Sequence, residues 1–243
     1  MSNSKPSKKR VLIVAASPVE HPRLGFSMGF WAAELTHPYA ELAAHGHEVT
    51  IASPNGGAIK PDDFSDPRHE SGYSAHDFVS LGFLESARHA PLLDSTQPLD
   101  AVESTEFDAI LVAGGMGPMF SFREHPKLQS LLREFYEAGK PTAALCHGVA
   151  SLIDVTTSDG ARLIAGKTIT GFSLAEDKSS EEAIGAPIFD WYIEEAAKEA
   201  GAHYVENGMW ANYAVEDGHL ITGQQQNSGG SVAQLLVKQL SAR

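Results

Sequence analysis

The sequence has one cysteine, Cys146, in 243 residues. That excludes an internal disulfide framework and any zinc or iron–sulfur site built from several thiolates. Basic residues are scarce as well: 18 Lys and Arg stand against 31 Asp and Glu, a formal charge of −13. A chain this acidic lacks the cationic surface that a phosphate backbone needs, which argues against a nucleic-acid partner. No apolar run approaches the roughly 18 residues of a membrane helix, so no membrane span is expected. The early run Val11 to Ala16, preceded by Lys8, Lys9 and Arg10, is six residues long and meets Ser17-Pro18. A secretion signal needs a core of roughly 7–15 residues. A flexible basic tail over residues 1–9 and a cytoplasmic protein are the expectations. Two cofactor motifs are also missing. The first apolar strand ends in Ala-Ser-Pro with no Gly-x-Gly-x-x-Gly, and no Gly-Lys-Ser/Thr follows a glycine loop. The eleven histidines include no His-x-x-x-His pair with an acid. The nearest approach to a metal set is His69, Glu70 and His76, and no metal is expected.

What is present is an ordinary globular content of 42% apolar residues, enough for one large α/β domain. Val11 to Ala16 reads as a strand buried on both faces. Trp31, Leu35, Tyr39, Leu42 and Ala43 recur at helical spacing until Gly46, and His47 to Ser53 reads as a second strand. Strand, helix, strand in that span is a βαβ unit, the building block of parallel sheets. From about 56 to 105 the pattern breaks into a segment dense in Asp, His, Pro and Ser. It reads as an insertion or lid with a short helical stretch at Phe78 to His89. The core resumes with strands at Phe107 to Ala113 and Pro141 to Leu145, separated by a helix at Pro126 to Ala138. A strand at Thr168 to Thr170, one long helix at Ser180 to Ala200, a strand at His219 to Gly223 and a helix at Ser231 to Leu240 complete the chain. The predicted architecture is a three-layer α/β fold over residues 10–243 with a mostly parallel sheet. Ligands of such sheets bind beyond the carboxyl ends of the strands.

Three strands end in unusual residues. Cys146 closes an apolar strand and is followed by His147 and Gly148. A sharp strand-to-helix turn would expose the sulfur at its apex, and the amides of the helix start would lower its pKa. His147 can orient the thiolate or move protons if a carboxylate holds its ring. Glu176 and Asp177, in the loop expected after Phe172-Ser173, are the acids available for that. Gly114-Gly115-Met116-Gly117 ends another strand, and such a turn can aim backbone N–H groups at a developing oxyanion. Glu34 lies inside the first helix between Ala32, Ala33 and Leu35. A carboxylate buried there would have a raised pKa, suited to proton transfer near neutrality.

Five segments now stand together: Ala33-Glu34-Leu35-Thr36-His37-Pro38, Ala113 to Gly117, Ala144-Leu145-Cys146-His147-Gly148, Thr168 to Ser173, and Gly218 to Gln224. In order and spacing they resemble the DJ-1/PfpI superfamily, and within it the Hsp31-like branch of class I glutamine amidotransferase-like proteins. The resemblance implies a flavodoxin-like sandwich with Cys146 on a nucleophile elbow and His147 as its partner. It also implies Glu34 as the acid beside the thiol, and Asp177 or Glu176 as the third acid. It further implies a glutathione-independent glyoxalase that converts methylglyoxal to lactate without a cofactor. A homodimer and a role in stress response are implied too, and a redox-sensing holdase or protein deglycase is the family's alternative. Glutaminases of the superfamily use a late His-x-Glu, which this chain lacks. The chain departs from the pattern at Met116, where relatives commonly carry histidine. It departs again at Gln225-Gln226-Asn227-Ser228, where Asn-Pro-Ala-Ser is usual.

Overall fold

The computed structural model describes residues 8–242. Most of the basic tail expected over residues 1–9 therefore lies outside the described residues. Lys9 is already tied to the sheet, its carbonyl accepting the Glu48 N–H at 2.8 Å.

The first βαβ unit forms as its pattern predicts. Strand β1 (Arg10–Val14) leads through α1 (Ala32–Ala44) to β2 (Glu48–Ser53), and β1 pairs with β2 in parallel. The segment after β2 carries α2 (Phe78–Glu85) and a two-residue edge strand, β3 (Gln97–Pro98), which pairs with the end of β2. The core then resumes with β4 (Ala109–Val112), the short helix α3 (Pro118–Ser121), α4 (Pro126–Glu137) and β5 (Thr142–Leu145). After a 3-10 turn come α5 (Leu174–Ile184), α6 (Ile193–Glu199), β6 (Ala214–Asp217), β7 (Leu220–Gly223) and α7 (Gly229–Ser241).

These strands make one seven-stranded sheet in the order β6-β7-β5-β4-β1-β2-β3, and only the β6–β7 pair is antiparallel. Alternation along each strand feeds two apolar layers. Val11, Ile13, Leu111, Ala143 and Ile221 pack with Leu35 and Leu42 of α1 and Val232, Leu236 and Leu240 of α7. Leu12, Val14, Ile110, Val112 and Ala144 pack on the other face with Leu128, Leu131, Leu132 and Phe135 of α4 and with Ile193 and Ala197 of α6. Both faces are covered, as an all-apolar parallel strand requires. The result is the flavodoxin-like α/β sandwich.

Two expectations are corrected. The single helix read over 180–200 is two helices, because Gly185 adopts a left-handed conformation (φ 78°) that ends α5 and Pro187 cannot continue it. Thr168–Ile169 does form a strand, but it pairs with His203–Tyr204 in a separate two-stranded sheet.

Candidate active site

Strand β5 delivers Cys146 to the bend that starts the 3-10 turn Cys146–Leu152. Its φ is 55°, a left-handed value that a side chain adopts only when its surroundings enforce it. Cys146 is 2% exposed and lines a cavity.

Glu34 projects from the first turn of α1 toward that sulfur and is fully buried. Gly114, just past β4, fixes it from both sides. The Gly114 N–H donates to Glu34 Oε2 at 2.8 Å, while the Gly114 carbonyl accepts the Trp31 N–H at 3.0 Å. A Cβ on Gly114 would sit 2.5 Å from Glu34 Oε2 and 2.7 Å from the Cys146 Cβ, so only glycine allows this approach. Glu34 Oε1 has no hydrogen-bond partner in the resting site. Burial raises the Glu34 pKa to about 8, against a smaller pull down from Cys146 and the Gly114 N–H. The expected depression of the thiol is reversed. Burial, and then the Glu34 carboxylate, push Cys146 well above the ordinary thiol range, although the N–H groups of Gly115 and His147 pull the other way. Sulfur and carboxyl thus form a buried acid pair that holds its protons to near neutral pH.

His147 lies with Nδ1 3.7 Å from the sulfur and Nε2 2.9 Å from Asp177 Oδ1. Asp177 is the residue at His147, with burial raising its pKa and His147 opposing that rise. Glu176 is not brought to His147. Its Oε1 accepts the Trp210 N–H at 2.8 Å and the Gln224 side-chain amide at 2.9 Å, and its Oε2 accepts the Ser173 N–H at 2.9 Å. Neither acid lies in a loop: Ser173 and Glu176 form a capping box that starts α5, placing both in its first turn.

The four residues of the glycine turn are placed differently from one another. The Gly114 N–H is committed to Glu34, that of Met116 to Asp62 Oδ2 at 2.9 Å, and that of Gly117 to the Gly29 carbonyl at 3.0 Å. Only the Gly115 N–H is directed at the sulfur. Gly115 has φ 107°, and a Cβ there would meet the Phe30 Cα at 2.7 Å. Met116 lines the cavity, and Gly117 does not.

Asp62 was missed in the sequence. It is 1% exposed, and its Oδ1 accepts the Gly29 N–H at 2.6 Å while Oδ2 holds Met116. Burial raises its pKa against those two donors. It clamps the turn that carries Gly115. No local pattern marks it, because Asp62 and its neighbour Asp63 look alike in sequence and only the tertiary fold separates them.

The cavity above the sulfur has a volume of about 430 Å3 and is lined mainly by Trp31, Phe64, Tyr73, Phe172, Phe189 and Trp210, with Met116, Ile184 and Ile188. Phe172 and Phe189 lie against the His147 ring at centroid distances of 4.2 and 4.8 Å. Another cleft, under Arg123 and Trp191, includes none of Glu34, Cys146 and His147. Among the described residues no three His, Cys, Asp or Glu side chains come together to hold a metal, so His69, Glu70 and His76 do not form the set considered above. Nor is any described helix long and apolar enough to cross a membrane.

Set beside known proteins, the chain matches the sequence model of the DJ-1/PfpI family over residues 26–239. It is 29% identical to a protein of Schizosaccharomyces pombe named a probable glutathione-independent glyoxalase, covering 97% of this chain and all of that one. It is 27% identical to glyoxalase 3 of Candida albicans, covering 86% and 89% of the two chains. Among solved structures it is similar to the Rapid Encystment Protein 24 KDa of Francisella tularensis. That likeness has a TM-score of 0.87 and 31% identity, and covers 96% of this chain and 99% of the other.

Proposed function

Because this chain belongs to the DJ-1/PfpI family, and to its Hsp31-like branch, we propose that it is a glutathione-independent glyoxalase. It converts a small 2-oxoaldehyde to the 2-hydroxy acid on Cys146. The observation that carries the mechanism is the unpartnered carboxyl oxygen of Glu34 beside the only thiol of the chain.

The thiol adds to the aldehyde carbon as its proton passes by way of the Glu34 carboxylate to the aldehyde oxygen, giving a hemithioacetal and leaving Glu34 ionised. Glu34 then removes the hydrogen from that carbon and returns a proton to the adjacent one through an enediol. The hemithioacetal hydroxyl gives up its proton and becomes the carbonyl of a thioester, while the neighbouring ketone oxygen takes a proton and becomes the hydroxyl of the product. His147, its ring held by Asp177, draws a proton from water as it attacks the thioester, releasing the hydroxy acid and restoring the thiol. The N–H groups of Gly115 and His147 that converge at the sulfur are the donors an oxyanion on the attacked carbon would meet. Glutathione is unnecessary because the protein supplies the thiol. The redox-sensing alternative leaves the unpartnered oxygen of Glu34 without a task.

As further parts of this reading, the protein is cytoplasmic, where a lone thiol stays reduced, and its charge of −13 disfavours nucleic acid. Homodimerisation and a stress role rest on the resemblance. The test is conversion of methylglyoxal to lactate by the purified protein. Turnover is expected to stop when the only thiol is alkylated. Undiminished turnover by the alkylated protein, or no turnover of any 2-oxoaldehyde by the untreated protein, would overturn the proposal.

A further inference from the structure

Methylglyoxal would occupy little of the cavity above Cys146. About 430 Å3 falls within the roughly 300–1,000 Å3 typical of sites for drug-sized ligands. The walls are largely rings. Trp31 meets Tyr73 edge-on with centroids 6.0 Å apart, and Phe172 meets Trp210 in the same way at 5.8 Å. These are spacings at which aromatic pairs attract, and a further ring fits among them. No Lys or Arg lines the space, so a substrate bearing carboxylate or phosphate finds no counter-charge there.

The wall opposite the sulfur is built, not incidental. Among the described residues only two non-glycine residues have a left-handed backbone: Cys146 and Trp210 (φ 62°). Trp210 is held there by its N–H to Glu176 and by the Asn227 side-chain amide, which donates to the Trp210 carbonyl at 2.9 Å. The Gln225 amide donates to the Ala211 carbonyl at 2.8 Å, pinning the next residue. Gln225 and Asn227 of the unusual run thus hold the backbone that carries the indole, and Gln226 between them lines the cavity. The other unusual residue, Met116, removes a polar group from the same lining.

We infer that the preferred substrates are uncharged 2-oxoaldehydes bearing an aryl or comparably large apolar group, not methylglyoxal. This inference rests on the glyoxalase reading and names the substrate class of the same site. The reaction is unchanged: the aldehyde carbon bonds to sulfur, and the ring occupies the aromatic walls.

The test compares kcat/KM for phenylglyoxal and methylglyoxal on the same protein, following mandelate and lactate. Burying one additional methylene in such a pocket is worth roughly tenfold or more, so phenylglyoxal is expected to be preferred at least about tenfold. Trp210→Ala and Tyr73→Ala should each lower kcat/KM for phenylglyoxal more than for methylglyoxal, bringing the ratio toward one. Tyr73 is half exposed, so its variant reports on the cavity even if Trp210→Ala misfolds. Methylglyoxal turned over as well as phenylglyoxal, or better, would overturn this inference and leave the proposed activity standing. A preference that survives in every variant that folds would also overturn it. Turnover of neither aldehyde would overturn the glyoxalase reading itself.

Discussion

On the sheet side of the cleft, the polar groups around the sulfur are tied by short hydrogen bonds, most of them to the backbone. Gly114 holds Glu34 and Trp31, Asp62 holds Gly29 and Met116, and Asp177 holds His147. Over the rest of the cavity wall, Phe64, Tyr73, Phe172 and Trp210 offer mostly ring surface, and Phe64 and Tyr73 are about half exposed. The first region comes from strand ends and the start of α1, braced by Asp62 from the stretch after β2 and Asp177 from the first turn of α5. The second is assembled largely from segments outside the main sheet: the stretch after β2, the start of α5 and the stretch before β6. Reaction chemistry tolerates little displacement, so it sits where the backbone is most constrained. Selection of substrate needs only shape and apolar area, so segments between elements can supply it.

Substitutions on the sheet side should break that comparison if it is wrong. Glu34→Gln is expected to lower kcat/KM about 10²–10⁴-fold with the fold intact by circular dichroism, and Cys146→Ala to abolish turnover. If the Gln variant matched the parent, the sheet side would not be the chemical half. In the parent, kcat/KM should rise with pH and level off near pH 8, where Glu34 ionises and can take the thiol proton. Glu34→Gln should flatten that limb.

The same acid sets a stability slope. Glu34 ionises near its ordinary value of 4.5 when unfolded and near 8 when folded. Between those values the folded protein keeps a proton that the unfolded chain has lost, so raising pH favours unfolding until about 8. Glu34→Gln should therefore gain stability relative to the parent across that interval, by on the order of 3–5 kcal/mol at pH 8. Denaturant titrations at pH 5 and 8 would show it, and a constant difference would contradict the buried-acid account.

Asp62→Asn tests whether the clamp belongs with the chemistry. An amide can accept from only one of the two N–H groups and turns a donor on the other. Leaving that buried N–H unpaired should cost about 1–3 kcal/mol of stability. A merely structural role would leave kcat per folded molecule intact, whereas a displaced Gly115 should lower kcat roughly tenfold with less change in KM. The smallest effect is expected at Tyr73→Ala. As a half-exposed residue, its loss should change stability by only about 0.5 kcal/mol, measured as a small shift in Tm.

The legible parts of this molecule are those that local pattern determines. β1, β4 and β5 are apolar runs because both faces of the sheet are covered, and the Leu-Cys-His-Gly turn marks its own bend. Glu34 stands out because it interrupts an apolar helix start. The capping box Ser173-Leu-Ala-Glu176 was also readable, and it would have moved Glu176 and Asp177 from a loop to the first turn of a helix. Which amide of Gly114 to Gly117 faces the sulfur could not be read, since Asp62 and Gly29 make that selection from distant parts of the chain. The aromatic cavity was hidden for the same reason, its rings being scattered from Trp31 to Trp210.

The two-way bond between Gly114 and the start of α1 has a practical consequence for engineering. The spacing of acid and sulfur is written into main-chain atoms, so it does not depend on how the outer segments are filled. Residues 68–76 could be exchanged for foreign loops, with Asp62, Ser65 and Asp77 retained as the joints to the glycine turn and to α1, and the grafted chain would keep its reacting geometry while acquiring a different mouth.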